Sequence, residues 1–159
     1  MKKILIILSA AMLMLCSCED RVKVLFDTPF VSITDESGSS CTMDIDNSVK
    51  STLATLNIRV CASDNYFKEA ITVTYEVIVG DGLTEGVDFR LQQSTSSPVT
   101  FEKGTYNMPV RLMWYANPSL DKSKDCTLKI KLTGSSIDDM VIGYPGPDKL
   151  NSTFTFTKK

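Results

Sequence analysis

The sequence contains no histidine. That absence removes His-based triads, imidazole acid–base chemistry near neutral pH and nearly every catalytic zinc site. Carboxylate-only or Ser–Lys catalysis stays formally open, but no recognisable nucleophile motif accompanies it. Tryptophan occurs once, as Trp114. There is no internal repeat and no low-complexity tract. Beyond the N-terminal segment, no apolar run approaches the roughly 20 residues that a membrane-spanning helix needs. Basic charge is not in excess either, with 17 Lys and Arg against 19 Asp and Glu. Nucleic acid is therefore a poor partner, since displacing its condensed counterions takes concentrated Lys and Arg.

What is present begins at the N-terminus. Met1, Lys2 and Lys3 form a short positive patch, and residues 4–15 follow without a charge. A charged n-region before an apolar h-region is the plan of an export signal. A helix of about twelve residues rises about 18 Å, short of the roughly 30 Å hydrocarbon core, so it is a poor permanent span.

The run Leu15-Cys16-Ser17-Cys18 resembles the lipobox of bacterial lipoproteins: an aliphatic residue, a tolerant position, a small residue, then cysteine. The resemblance implies cleavage between Ser17 and Cys18 and a diacylglycerol thioether on the Cys18 sulfur. Cys16 offers a second register, but it would put bulky Leu15 where a small residue belongs. An ordinary cleaved signal with a structural cysteine nearby is the alternative. Glu19 and Asp20 resemble the surface-export signal of Bacteroidota lipoproteins. The implied address is the outer membrane, facing the cell surface, with the membrane held through acyl chains rather than a span.

Removing residues 1–17 leaves one domain's worth of chain. Residues 18–28 read as the lipidated N-terminus and tether, and residues 29–159 as a single domain. Loss of Lys2 and Lys3 from the 17 basic residues leaves 15 against 19 acids, a net charge near −4. Cys41, Cys61 and Cys126 remain, an odd number that permits one bridge at most. Alternation turns Cys61 outward and Cys126 inward, so free, mostly buried thiols are expected.

From residue 53 onward the apolar period is two, the signature of half-buried strands. Strands are predicted over residues 30–33, 42–45, 53–60, 71–79, 87–91, 99–101, 106–114, 126–132 and 153–157. Gly80-Asp81-Gly82 is expected to turn the chain through positive φ. Tyr106, Met108, Val110, Leu112 and Trp114 are assigned to one inward face, with Arg111 and Tyr115 outward. The Thr153-Phe154-Thr155-Phe156-Thr157 run is placed at an edge or terminus. At least seven short strands with frequent turns predict an all-β, immunoglobulin-like antiparallel β-sandwich.

Three short elements, Glu85-Gly86-Val87-Asp88-Phe89, Val99-Thr100-Phe101-Glu102-Lys103-Gly104 and Met108-Pro109-Val110-Arg111-Leu112, resemble the Calx-beta type of that fold. Calcium-binding members of the type carry clustered acids after the strand that corresponds to residues 108–114. Here that place reads Tyr115-Ala116-Asn117-Pro118-Ser119. Calcium takes six to eight oxygen ligands, which Asp88 alone cannot supply, and Asp138-Asp139 follows a different strand. These acids are expected to be solvated loop residues, and no metal or cofactor is expected.

With the ending Gly143-Tyr144-Pro145-Gly146-Pro147-Asp148, the chain resembles small surface lipoproteins found beside SusC/SusD-type glycan-uptake systems. The function this implies is a non-catalytic, lipid-anchored binding module for a glycan or an outer-membrane protein partner. Aromatic rings that stack on sugar faces are sought at Tyr66, Phe67, Tyr115 and Tyr144. The alternative is an assembly lipoprotein whose exposed β-edge, the 153–157 run, pairs with another chain.

Overall fold

Alternating side chains become strands wherever one row can be buried. Among the described residues, 28–92 and 97–159 of this computed structural model, these strands are β1 Phe30–Asp35, β2 Thr42–Ile45, β3 Ser51–Cys61, β4 Ile71–Val79, β5 Phe89–Leu91, β6 Val99–Phe101, β7 Asn107–Tyr115, β8 Thr127–Ser135, β9 Val141–Ile142 and β10 Thr153–Lys158. A single 3₁₀ turn, Asp64–Tyr66, interrupts the connection from β3 to β4. None of the described residues forms a helix long and apolar enough to cross a membrane. The signal expected at residues 1–17, the Ser17–Cys18 cleavage and lipidation site, and the tether as far as residue 27 lie outside the described residues.

Two five-stranded sheets form the sandwich, ordered β5-β7-β3-β1-β9 and β2-β10-β8-β4-β6. Most neighbours are antiparallel, as expected. Two edge pairs are parallel instead: β9 runs with β1, and β2 with β10. The β3–β7 ladder is the longest, from Ser51 opposite Tyr115 to Arg59 opposite Asn107. Its inward row on β3 is Ala54, Leu56, Ile58 and Val60, facing Val110, Leu112 and Trp114 in the same sheet's core row. Phe89, Phe101, Phe154 and Phe156 close the space between the sheets with Trp114. Burying each such large apolar side chain contributes roughly 1.5–3 kcal/mol.

Several sequence expectations change here. The 153–157 run is no edge: β10 lies between β8 and β2, with both sides of its backbone paired. The edges fall to β5, β9, β2 and β6, each four residues or shorter. Such short edges are poor templates for adding a foreign strand. Tyr106 does not join the inward row, because β7 begins one residue later; it is 37% exposed and donates its hydroxyl to Asp64 Oδ1 at 2.6 Å. That hydrogen bond, then burial and the Asp64 charge, raises the Tyr106 pKa.

Gly80 and Gly82 terminate β4 for a different reason from the one expected. Neither takes positive φ. A Cβ at Gly80 would stand 2.2 Å from the Asp125 carbonyl oxygen, so it is close approach to the chain entering β8 that demands glycine. Cys41, Cys61 and Cys126 are free thiols, Cys126 buried and the other two half-buried.

Candidate functional site

Of the four aromatic residues sought as sugar platforms, Phe67 is excluded. It follows the 3₁₀ turn, is 2% exposed, and packs edge-on to Tyr106 with centroids 5.0 Å apart. Its ring is core, not platform. Tyr66, at the end of that turn, and Tyr115, at the end of β7, are half-buried. They cannot share a ligand site: Tyr115 sits opposite Ser51 and Tyr66 lies beyond Cys61. Ten residues of strand separate those ends of β3, about 33 Å.

Of the four, Tyr144 is the most exposed. It is 37% exposed, and its ring is held edge-on by Phe30 of β1, 5.5 Å between centroids at 86°. The loop that carries it crosses from β9 in the first sheet to β10 in the second. Its ends are pinned: Gly143 N–H donates to Val31 O at 2.8 Å, and Asn151 O accepts from Ile33 N–H at 2.8 Å. Within the loop, Tyr144 N–H donates to Leu150 O at 2.6 Å. This bond closes a ring of residues 144–150.

Gly143 makes that closure possible. With φ at 87°, a Cβ there would meet the Lys149 carbonyl oxygen at 2.5 Å. Two residues that are not glycine also adopt left-handed φ, Lys149 at 43° and Asn151 at 60°. For an L-residue such a conformation costs about 1–2 kcal/mol, less for Asn. Stored strain of this kind concentrates where a loop is held for binding.

The surface around the loop is concave and mixed in character. Residues 144–150 line a hollow of about 190 Å³, whose walls include Tyr144, two prolines, Asp148 and the 61%-exposed Leu150. Lys149 also borders a second cleft of about 320 Å³, with Lys131, Leu132, Thr133, Ile142 and Ser152. The first hollow thus holds Tyr144 with Asp148 and Lys149, and the second joins Lys149 to Thr133, Ser152 and Lys131, the last paired with Glu76. Apolar surface with a few placed polar groups is the usual make-up of a small-ligand site. Among the described residues no three of His, Cys, Asp or Glu are grouped so as to hold a metal ion.

At the opposite end of the sandwich lies a polar cluster that the sequence reading missed. Asp88 is not a solvated loop acid. It is 2% exposed and pairs at 2.7 Å with the Lys158 ammonium, which is wholly buried. Asn117 Nδ2 donates to the same Asp88 oxygen at 2.9 Å, and Thr84 N–H donates to the other at 2.8 Å. Asn117 is itself held by a reciprocal pair of bonds with Asn47, at 2.8 and 2.9 Å. Burial pushes the Asp88 pKa upward, but the Lys158, Asn117 and Thr84 donors outweigh it and hold the carboxyl below its ordinary value. Asp138 and Asp139, by contrast, are exposed.

The Gly-x-Asp-Phe element therefore has a structural explanation. Gly86 N–H donates to Phe89 O at 2.8 Å, which turns the chain so that Asp88 faces inward beside Phe89. The signal for its partner was parity. Phe154 and Phe156 are inward, and Lys158 is the next residue in that row.

No protein-family model matches the chain, and no curated protein matches it. Solved structures do resemble it. The apo-form Calx CBD1 domain is 15% identical over 82% of this chain and 98% of its own, with a TM-score of 0.47. The calcium binding domain CBD12 of CALX1.1 is 14% identical over 80% of this chain and 44% of its own, at 0.49. Bacteroides thetaiotamicron EndoBT-3987, solved with a Man5GlcNAc product, is 10% identical over 79% of this chain, at a TM-score of 0.52. This chain spans 30% of that protein's length, and the likeness is one of fold.

Proposed function

We propose that this chain is a lipid-anchored extracytoplasmic module that binds glycan without transforming it, as an accessory to outer-membrane nutrient uptake. One observation carries the binding half: Tyr144 is held in solvent on a closed, strained loop, beside clefts lined with carboxylate, ammonium and hydroxyl groups. Sugars are recognised by that combination, a ring face for their C–H surface and polar groups for their hydroxyls. The absence of histidine and of a nucleophile motif supports a non-catalytic role.

The anchoring half rests on Leu15-Cys16-Ser17-Cys18, and Glu19-Asp20 supports display on the outer surface. A SusC/SusD-type outer-membrane pair is the proposed protein context. Two experiments test these halves separately. A glycan array probed with the intact protein should show binding that Tyr144→Ala abolishes; silence across a broad panel would overturn the glycan reading. Globomycin, or Cys18→Ala, should leave unlipidated precursor, and normal processing of that variant would overturn the anchor.

A further inference from the structure

Within residues 144–150, Lys149 is the side chain that the fold explains least. Its φ of 43° is one that glycine adopts freely, whereas for an L-residue the left-handed region costs about 1–2 kcal/mol. The backbone there is pinned: Lys149 N–H donates to Gly146 O at 3.4 Å, and the next carbonyl, Leu150 O, accepts from Tyr144 N–H at 2.6 Å. Glycine at position 149 would make the same bonds without the penalty. What glycine would not supply is the ammonium. That group has no ion pair and no hydrogen-bond partner among the described residues.

Lys149 also stands where the two hollows meet. It is the one residue that lines both the hollow of about 190 Å³ and the cleft of about 320 Å³. Small-ligand sites run from about 300 to 1,000 Å³. The first hollow falls below that range and the second at its lower bound, so a ligand held firmly here spans the two. Charge divides between them. Asp148 lines the first and not the second. In the second, Lys131 is already paired with Glu76 at 3.0 Å. Thr133 donates its hydroxyl to Thr74 Oγ1 at 3.0 Å, which leaves the Thr133 oxygen free to accept. The cation at the junction is the one without an acid.

We propose that the Tyr144 site takes an acidic oligosaccharide of two or more sugars, one ring face stacked on Tyr144 and the carboxylate or sulfate of the neighbouring sugar paired with the Lys149 ammonium. This rests on the glycan reading of Tyr144 and names the class of glycan. Asp148 accepts hydroxyl protons from the sugar in the first hollow, and Thr133 and Ser152 meet hydroxyls in the second. A hydrogen bond between an ammonium and an anionic oxygen is roughly twice as strong as one between neutral groups. The acid group therefore supplies the discrimination, and the ring supplies the stacking. Neutral chains forfeit the first contribution, and anions without a ring face forfeit the second. The closed loop holds ring and cation in one fixed relation, which a match to adjoining sugars requires.

The test is binding of the intact protein, in detergent, to an array of matched pairs: oligogalacturonates with their methyl esters, and sulfated galactan oligosaccharides with their desulfated forms. Mannan and dextran oligosaccharides are the neutral probes, and oligoglutamate is the anion without sugar rings. The acidic member of a pair should bind about tenfold more tightly than its neutral twin, a difference of about 1.4 kcal/mol. Lys149→Gln should erase that preference by weakening the acidic member alone, and Lys149→Arg should keep it. Lys122→Gln with Lys124→Gln, in the distant β7–β8 connection, should change neither affinity. Lys149→Gln keeps the Cβ and the backbone strain, so it should melt like the parent, and melting curves check this. Equal affinity within the pairs, or binding to neutral glycans alone, would overturn the acidic class and leave the glycan reading standing. A preference that survives Lys149→Gln, or that oligoglutamate matches, would also overturn the proposal. Silence from every glycan would overturn both.

Discussion

At one end of the sandwich, Asp88, Lys158, Asn117 and Asn47 satisfy one another away from water. At the other, residues 144–150 hold Tyr144 and Leu150 in solvent, on a backbone that Lys149 and Asn151 strain. The first arrangement places expensive groups where each has a partner. The second spends conformational energy without burying anything large. Burying a charge is tolerable only when it is paired and hydrogen-bonded, so the Asp88 cluster explains itself as architecture: it joins the β2–β3, β4–β5 and β7–β8 connections to the C-terminal strand. The loop has no such structural return, and the binding proposed for Tyr144 would give its shape a purpose.

The largest expected effect breaks the first half of that contrast. Lys158→Ala leaves Asp88 buried without its ammonium, which should cost about 3–5 kcal/mol in urea unfolding. The paired replacement Asp88→Leu with Lys158→Met should cost far less, because a buried ion pair gains little over apolar residues of similar volume. Equal losses in the two variants would show that the pair matters for more than mutual neutralisation. Neither variant should alter glycan binding at Tyr144 while the protein remains folded.

Acid sharpens the same point. The folded pKa of Asp88 lies below its unfolded value, so the unfolded chain takes up its proton first as pH falls. The stability Asp88 provides is present above the unfolded value, about pH 4, and is lost as pH drops through the lower folded one. Unfolding midpoints measured between pH 6 and pH 2 should therefore fall less steeply for Asp88→Asn, from an already lower starting stability. A parallel slope would mean that the exposed acids dominate.

Next in size is Gly143→Ala. Its Cβ would collide with backbone, the Lys149 carbonyl oxygen, in a left-handed conformation, so a loss of about 1–3 kcal/mol is expected. Glycan binding should be lost with it, since Tyr144 is the next residue. Tyr144→Ala separates the two effects. It forfeits the edge-on contact with Phe30, about 0.5–1.5 kcal/mol beyond the area the ring buries, yet should abolish binding on an array.

Much of the architecture was legible because a buried face imposes a period of two. The strands at residues 42–45, 71–79 and 99–101 match their sequence readings to the residue. β9, two residues long, is too short to show any period and was missed. Parity also says nothing about which strand lies alongside, so the Thr-Phe alternation of β10 looked the same whether at an edge or between two neighbours. Ending that strand at Thr157 hid the one residue that mattered, Lys158 in the inward row. Phe67 was misread for a related reason: it sits in a connection without period, where only packing against Tyr106 reveals that its ring is covered.

The smallest effect is the most discriminating. Lys149→Gly removes the left-handed penalty of about 1–2 kcal/mol and gives back about 0.5–1 kcal/mol of that through the greater freedom of an unfolded glycine, so stability should rise slightly or stay level. Binding should nonetheless weaken, for two separable reasons: a looser loop and a missing ammonium beside both clefts. Lys149→Asn divides them, because asparagine tolerates the left-handed region while keeping a Cβ and lacking the charge. If the strained geometry positions Tyr144, Lys149→Asn should bind better than Lys149→Gly at equal or lower melting temperature. If the two variants bind alike, the ammonium is what the ligand meets, and the strain is only the consequence of closing so small a ring.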